Sequence, residues 1–167
     1  MRVPRYNTQM SFSQEMADVY ARDLKRLLQE IEAFPSDDAL WRVAPGVTNS
    51  AGNLALHLEG NLREYIGRQL GGVAYTRQRP LEFSSKGAPA AALAAQMRDL
   101  PESISRVIAG LSNAKLDEPF PEQGLPQQRT NRLYLLHLYG HFNYHLGQID
   151  YLRRIVTEGK AVDFANL

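Results

Sequence analysis

Three of the four histidines in this 167-residue chain, His137, His141 and His145, fall at four-residue spacing in the run HLYGHFNYHLGQID. On a helix that spacing puts side chains one turn apart on the same face. Two imidazoles so placed can close on one divalent cation, as in helical zinc motifs. Histidine triplets also occur on solvated helices, but here aromatic and aliphatic neighbours surround them. Leu138, Phe142, His145, Ile149, Leu152 and Val156 step by four and three, the pattern of a buried stripe. His145 lies on that stripe and His141 roughly 40° to its side, whereas His137 is roughly 80° and about 12 Å away from His145. Bonds of about 2.0–2.1 Å cannot bridge that gap. His141 and His145 are therefore the better pair, with His137 a hydrogen-bonded rim residue.

The fourth histidine, His57, sits in NSAGNLALHLEGNLREYIG and flanks the apolar face made by Leu54, Leu58, Leu62 and Tyr65. A facing-helix histidine is what a single-metal site inside a bundle needs as a third ligand. Read from the residues alone, an edge histidine bonded to a carbonyl or water is preferred. Among carboxylates, Glu64, Glu59 and Asp150 are candidates for a general base, with solvated surface acid as the default. Asn53 and Asn61 flank His57 at one-turn spacing, and capping and packing explain them nearly as well as a cavity role. Gln148, three residues past His145, can orient a ligand or contact substrate. Tyr139 and Tyr144 read as packing or interface residues, and Arg153-Arg154 as a solvated face near a helix end. No residue is assigned a catalytic role.

Four long helices must position these groups. The first spans roughly Ser13–Ala33, with Met16, Val19, Tyr20, Leu24, Leu27, Leu28 and Ile31 on one face. Phe34-Pro35-Ser36-Asp37-Asp38 ends it and opens a short turn carrying Leu40 and Trp41. The second starts at Asn49 or Ser50 and stops at Gly71-Gly72. The third covers Pro89–Ala109, with Pro101 set to kink or split it. The fourth starts after Pro126, near Thr130, and runs to about Thr157, with Gly159 ending it. No segment reads as a strand. The connections Gly71–Ala88 and Ser112–Arg129 exceed ordinary bundle loops, which suggests a crossover.

Composition narrows the class. The length fits one domain, residues 1–167. Nineteen basic residues against eighteen acidic ones give a net charge of +1, which disfavours nucleic-acid binding. No apolar run is long enough to cross a bilayer, and the N-terminal residues lack the apolar core of a secretory signal. Cysteine is absent, so thiolate ligands and disulfides are excluded and any thiol must come from outside. A cytoplasmic location is the expectation.

The segments GNLALHLEGNLREYIGRQLGG, TRQRPLEF and HLYGHFNYHLGQIDYLRRI resemble the DinB-like (YfiT/DinB) family of metal-binding four-helix proteins, most closely a branch of unknown function. The histidine in G-N-L-x-L-H-L-x-G-N and the block H-F-x-Y-H-x-G-Q-I carry the resemblance, which covers most of the chain. It implies an all-α four-helix bundle of up-down-down-up connectivity with long crossover connections, often a homodimer. It also implies a divalent ion, zinc or nickel, held by His57, His141 and His145. The expected function is a mononuclear metal-dependent enzyme, either a hydrolase or a thiol transferase using a low-molecular-weight thiol. The alternative is a non-catalytic metal-binding or structural dimeric bundle. Fold and ligands transfer through such a resemblance better than reaction does.

Overall fold

The computed structural model describes residues 10–122 and 129–164. The described residues are helical, with a single isolated bridge between Pro119 and Thr130 as the only extended pairing among them. Helix α1 runs over Phe12–Glu32, and its N-terminus is a reciprocal capping box. Ser11 accepts from the Gln14 amide while the Gln14 side chain accepts from the Ser11 N–H. Its apolar face lands as the periodicity predicts: Met16, Tyr20, Leu24, Leu27 and Ile31 are buried, with Val19 and Leu28 at the margin. The turn after Pro35 is the short helix α2, Asp37–Trp41, capped by Ser36.

Helix α3, Ala51–Leu62, is capped by Ser50 and buried over almost its whole length. It does not simply continue to Leu70. Residues Arg63–Arg68 widen into a π-helical turn, and the amides of Gln69 and Gly71 reach back five residues to Glu64 and Ile66. Gly72 then reverses the chain at φ 66°, a left-handed conformation that glycine adopts without steric cost.

The Gly71–Ala88 connection, expected to be irregular, holds a helical turn and a half, α4 at Arg79–Ser84, with Pro80 in its first turn. The third long helix is split as expected. Helix α5, Ala90–Met97, ends at Arg98, and α6, Leu100–Ala109, starts over again with Pro101 in its first turn. There the missing N–H has no carbonyl to satisfy. A further short helix, α7 at Asn113–Asp117, lies in the following connection. Pro126, expected ahead of the last helix, falls outside the described residues.

Helix α8, Asn131–Thr157, is capped by Thr130 and ends when Glu158, not Gly159, takes the left-handed conformation at φ 53°. Its buried stripe is Leu135, Leu138, Phe142, Leu146, Ile149 and Leu152. Leu146 thus takes the core position that the periodicity gave to His145, and His145 is turned to the edge of the stripe, half-buried. Helix α1 packs on α5, α6 and α8, and α3 on α4, α5 and α8. Polar staples fix these contacts: the buried Tyr20 hydroxyl donates to the Leu135 carbonyl at 2.9 Å. The Arg153 guanidinium meets the Glu30 carboxylate at 2.5 Å, with both side chains out of solvent. None of the described helices is long and apolar enough to cross a membrane.

Candidate metal centre

Helices α3 and α8 bring His57, His141 and His145 together. One ring nitrogen from each lies within 4.8 Å of the others, and no other group of three His, Asp or Glu residues meets this test among the described residues. The Nε2 atoms of His57 and His141 are 3.2 Å apart. Two nitrogens bound to one tetrahedral ion at ordinary bond lengths would be separated by about 3.3 Å, so the spacing already matches shared ligation. His137 is exposed, with its ring beside Tyr134 and outside the cluster.

What stands behind each ring determines which nitrogen faces the cluster. His57 Nδ1 lies 2.9 Å from a carboxylate oxygen of Glu82. His145 Nδ1 lies 2.7 Å from the Gln148 side-chain oxygen. Both oxygens only accept, which favours a proton on each Nδ1 and a lone pair on each Nε2. For His57 the Glu82 oxygen at 2.9 Å outweighs the Arg77 guanidinium nitrogen, a donor at 3.3 Å from the same Nδ1. His141 differs: its Nδ1 is buried without a hydrogen-bond partner. Burial, then the neighbouring imidazoles of His145, His57 and His137, lower the His141 pKa to about 4. Burial lowers His57 as well, against the upward pull of Glu82. Neutral imidazoles are the form that binds a cation. The donor set therefore fits a divalent ion such as zinc, with no anionic ligand and room for further coordination.

Glu82 and Arg77 were not singled out by sequence reasoning, although both lie in or beside TRQRPLEF. The Glu82 carboxylate is buried and takes two bonds from the Arg77 guanidinium, at 2.6 and 2.8 Å. The sequence signal for them is that TRQRPLEF is one of the three segments carrying the family resemblance, although the stretch reads as loop. The carboxylates that were singled out are engaged elsewhere. Glu59 pairs with Arg63 and Gln96, Glu64 with Arg68, and Asp150 with Arg153 and Arg154. Asn53 does not line the cluster. It donates to the carbonyls of Glu82 and Ser85 at 3.1 and 3.0 Å. Asn61 is buried, with its side-chain oxygen unpartnered.

A cavity of about 460 Å³ opens beside the cluster, walled by Leu54, His145, Gln148, Tyr144, Tyr151 and Ile155 together with the segment around Thr48. No charged side chain lines it. A second cavity of about 410 Å³ lies on the other side of Glu82, between α4 and α5.

Comparison with known proteins agrees with the fold. A crystallised DinB-like protein from Bacillus cereus ATCC 10987 has a similar fold, with a TM-score of 0.65 at 17% identity over 85% of this chain and 91% of its own. No curated protein matches the chain with comparable significance. Residues 15–158, nearly the whole described helical body, match the family described as Mycothiol-S-transferase. With that match, this chain belongs to the mycothiol-S-transferase family, within the DinB-like superfamily.

Proposed function

We propose that the protein is a metal-dependent thiol S-transferase in which His57, His141 and His145 hold one divalent ion, zinc or nickel. The observation that carries this reading is the convergence of three imidazoles within 4.8 Å next to an open, uncharged cavity. A divalent ion there would supply Lewis-acid activation, making an incoming thiol acidic near neutral pH.

The chain's own residues account for the rest. The chain has no cysteine, so the nucleophilic sulfur belongs to a low-molecular-weight thiol that enters from solvent. Leu54, Leu152 and Ile155 offer apolar contact in the cavity, while Gln148, Tyr144, Tyr151, Thr48 and Asn49 offer hydrogen bonds. With no cation on its walls, the cavity suits a thiol free of clustered carboxylates. In the transfer the thiol gives its proton to solvent and its sulfur forms a bond to an electrophilic carbon. The bond from that carbon to the leaving group breaks, with the electron pair going to the leaving group.

Hydrolysis would call for a carboxylate within one water of the ion. Glu59, Glu64 and Asp150 are bound to arginines, and Glu82 sits on the far nitrogen of the His57 ring. That arrangement favours the thiol over water as nucleophile.

The same reading includes a pair of identical chains. Leu133, Leu136, Tyr144, Tyr151 and Ile155 are exposed on one stripe of α8, which Gly140 and Gly147 leave flat. The stripe is mostly apolar, with the Arg154 guanidinium lying 5.3 Å over the Tyr151 ring, which suits a two-fold contact between identical faces. Sedimentation of wild type and Tyr151→Glu tests it: a dimer that becomes a monomer supports the contact, and an unchanged monomer removes it.

Elemental analysis of protein purified without a nickel column tests the site. About one ion per chain, lost in His57→Ala and His141→Ala, is the expected result. No ion in wild type after exposure to zinc or nickel leaves the alternative, a structural helical bundle. Metal-loaded protein should then conjugate a neutral thiol to an electrophilic dye faster than it hydrolyses esters or amides; the reverse order would make it a hydrolase.

A further inference from the structure

Helix α4 is short and exposed on most of its surface, yet three residues of α3 are shaped to receive it. Asn53, His57 and Gly60 recur at spacings of four and three, so they line one face of α3. Asn53 holds the α4 carbonyls of Glu82 and Ser85. His57 meets Glu82 through Nδ1 and has the Phe83 ring at 5.0 Å. Gly60 supplies the space: a Cβ on it would stand 2.2 Å from Glu82 Oε1 and 2.9 Å from the carboxylate carbon. Arg77 closes the assembly from the chain before α4, with two bonds to the same carboxylate.

The geometry points to α4 as a positioning device, with Glu82 as the positioning residue that orients His57 for metal binding and Gly60 as the residue that admits it. This rests on the three-histidine reading above. A carboxylate that accepts from Nδ1–H holds the ring in one tautomer, aims Nε2 at the cluster, and makes that nitrogen a better donor. The two Arg77 contacts hold the carboxylate in place and would stop it swinging toward a bound cation. His141 has no partner behind it, so the order in the cluster enters through His57 on one side and through the Gln148–His145 contact on the other.

The test is the zinc affinity of the full chain, measured by competition with a chromophoric chelator for wild type, Glu82→Gln, Gly60→Ala and Asn53→Ala. Nitrogen NMR of the imidazoles in metal-free protein gives a second readout. Glu82→Gln should weaken zinc binding about 10-fold and Gly60→Ala between about 10- and 100-fold, the range for outer partners of ligating histidines. The double variant should be no weaker than the worse single one, since both act through one contact. Asp23→Asn, which loosens the fold far from α4, should keep wild-type affinity.

Wild-type affinity in both Glu82→Gln and Gly60→Ala overturns the proposal and leaves the metal site standing. If Gly60→Ala does not fold, Glu82→Gln and Asn53→Ala decide. If wild type takes up no zinc, the metal reading fails, and the ring signal judges the clamp. His57 must then be the Nδ1–H tautomer in wild type and a mixture in Glu82→Gln; an unchanged ring would end the proposal.

Discussion

Two buried carboxylates on different helices, Asp23 against α8 and Glu82 against α3, do different work. Asp23 on α1 has its side chain almost wholly out of solvent and is held by Arg22, Arg26 and the Tyr139 hydroxyl at 2.7–2.9 Å. Burial raises its pKa, but the Arg22 and Tyr139 hydrogen bonds and the two guanidiniums bring it below the usual carboxylate value. The Tyr139 hydroxyl donates to Asp23 and itself accepts from Arg22, so the network closes on itself and ties α1 to α8. Glu82 on α4 is equally buried, yet one of its partners is an imidazole. Using one ring nitrogen as donor turns the other into an acceptor that points away from the carboxylate. The same buried anion closes a staple in one place and orients a clustered imidazole in the other, according to whether its partner's other face is already engaged within the network.

Removing ligands should separate these regions most sharply. His141→Ala should weaken zinc binding by more than about 100-fold, beyond what outer partners contribute. It should move unfolding stability of the metal-free protein by no more than about 1 kcal/mol, because the ring is only half-buried. A stable variant that retains its zinc would erase the distinction.

Next in size is the ion pair farther along α8. Arg153→Ala strands Glu30 in a site where burial already raises its pKa. Breaking such a pair costs about 3–5 kcal/mol and should lower Tm by about 10 °C, with the metal content of the folded fraction unchanged.

Asp23→Asn comes third, costing about 2 kcal/mol as charged hydrogen bonds weaken. The sign of its pH dependence is set by the depressed pKa. The folded carboxylate holds its proton less tightly than the unfolded one, so its stabilisation is complete above about pH 4 and is lost as pH falls through the folded value. Chemical denaturation of wild type and variant should therefore differ most near neutrality and converge in acid. A gap that widens in acid would contradict the assignment.

Gln148→Ala should be smallest, a loss of zinc affinity below the roughly 10-fold loss of Glu82→Gln, with no measurable change in Tm. Equal losses in Gln148→Ala and Glu82→Gln would show that a neutral amide orients a ring as well as a carboxylate does.

Much of this was legible in the residues. The capped starts at Ser50 and Thr130, the split near Pro101 and the apolar face of α1 follow from side-chain chemistry repeated at helical period. Those signals are local. The candidate pair His141 and His145 was legible for the same reason, since one helix fixes their separation. Gln148 behind His145 is also an in-helix relation. By contrast, the buried position at 146 rather than 145 depended on how α8 is rotated against α1 and α3, and a shift of one residue lies within the tolerance of a four-three pattern.

The sequence by itself determined the elements and two of the three clustered imidazoles. Tertiary structure decided the third. Whether His57 faces the cluster or an edge carbonyl turns on the packing of α3 against α8, two segments far apart in the chain. Glu82 and Arg77 stood in a stretch with no periodicity to mark it. Their role arises only when α4 docks on the notch at Gly60, because a glycine in a sequence looks the same whether it ends a helix, bends it or makes room for another residue's carboxylate.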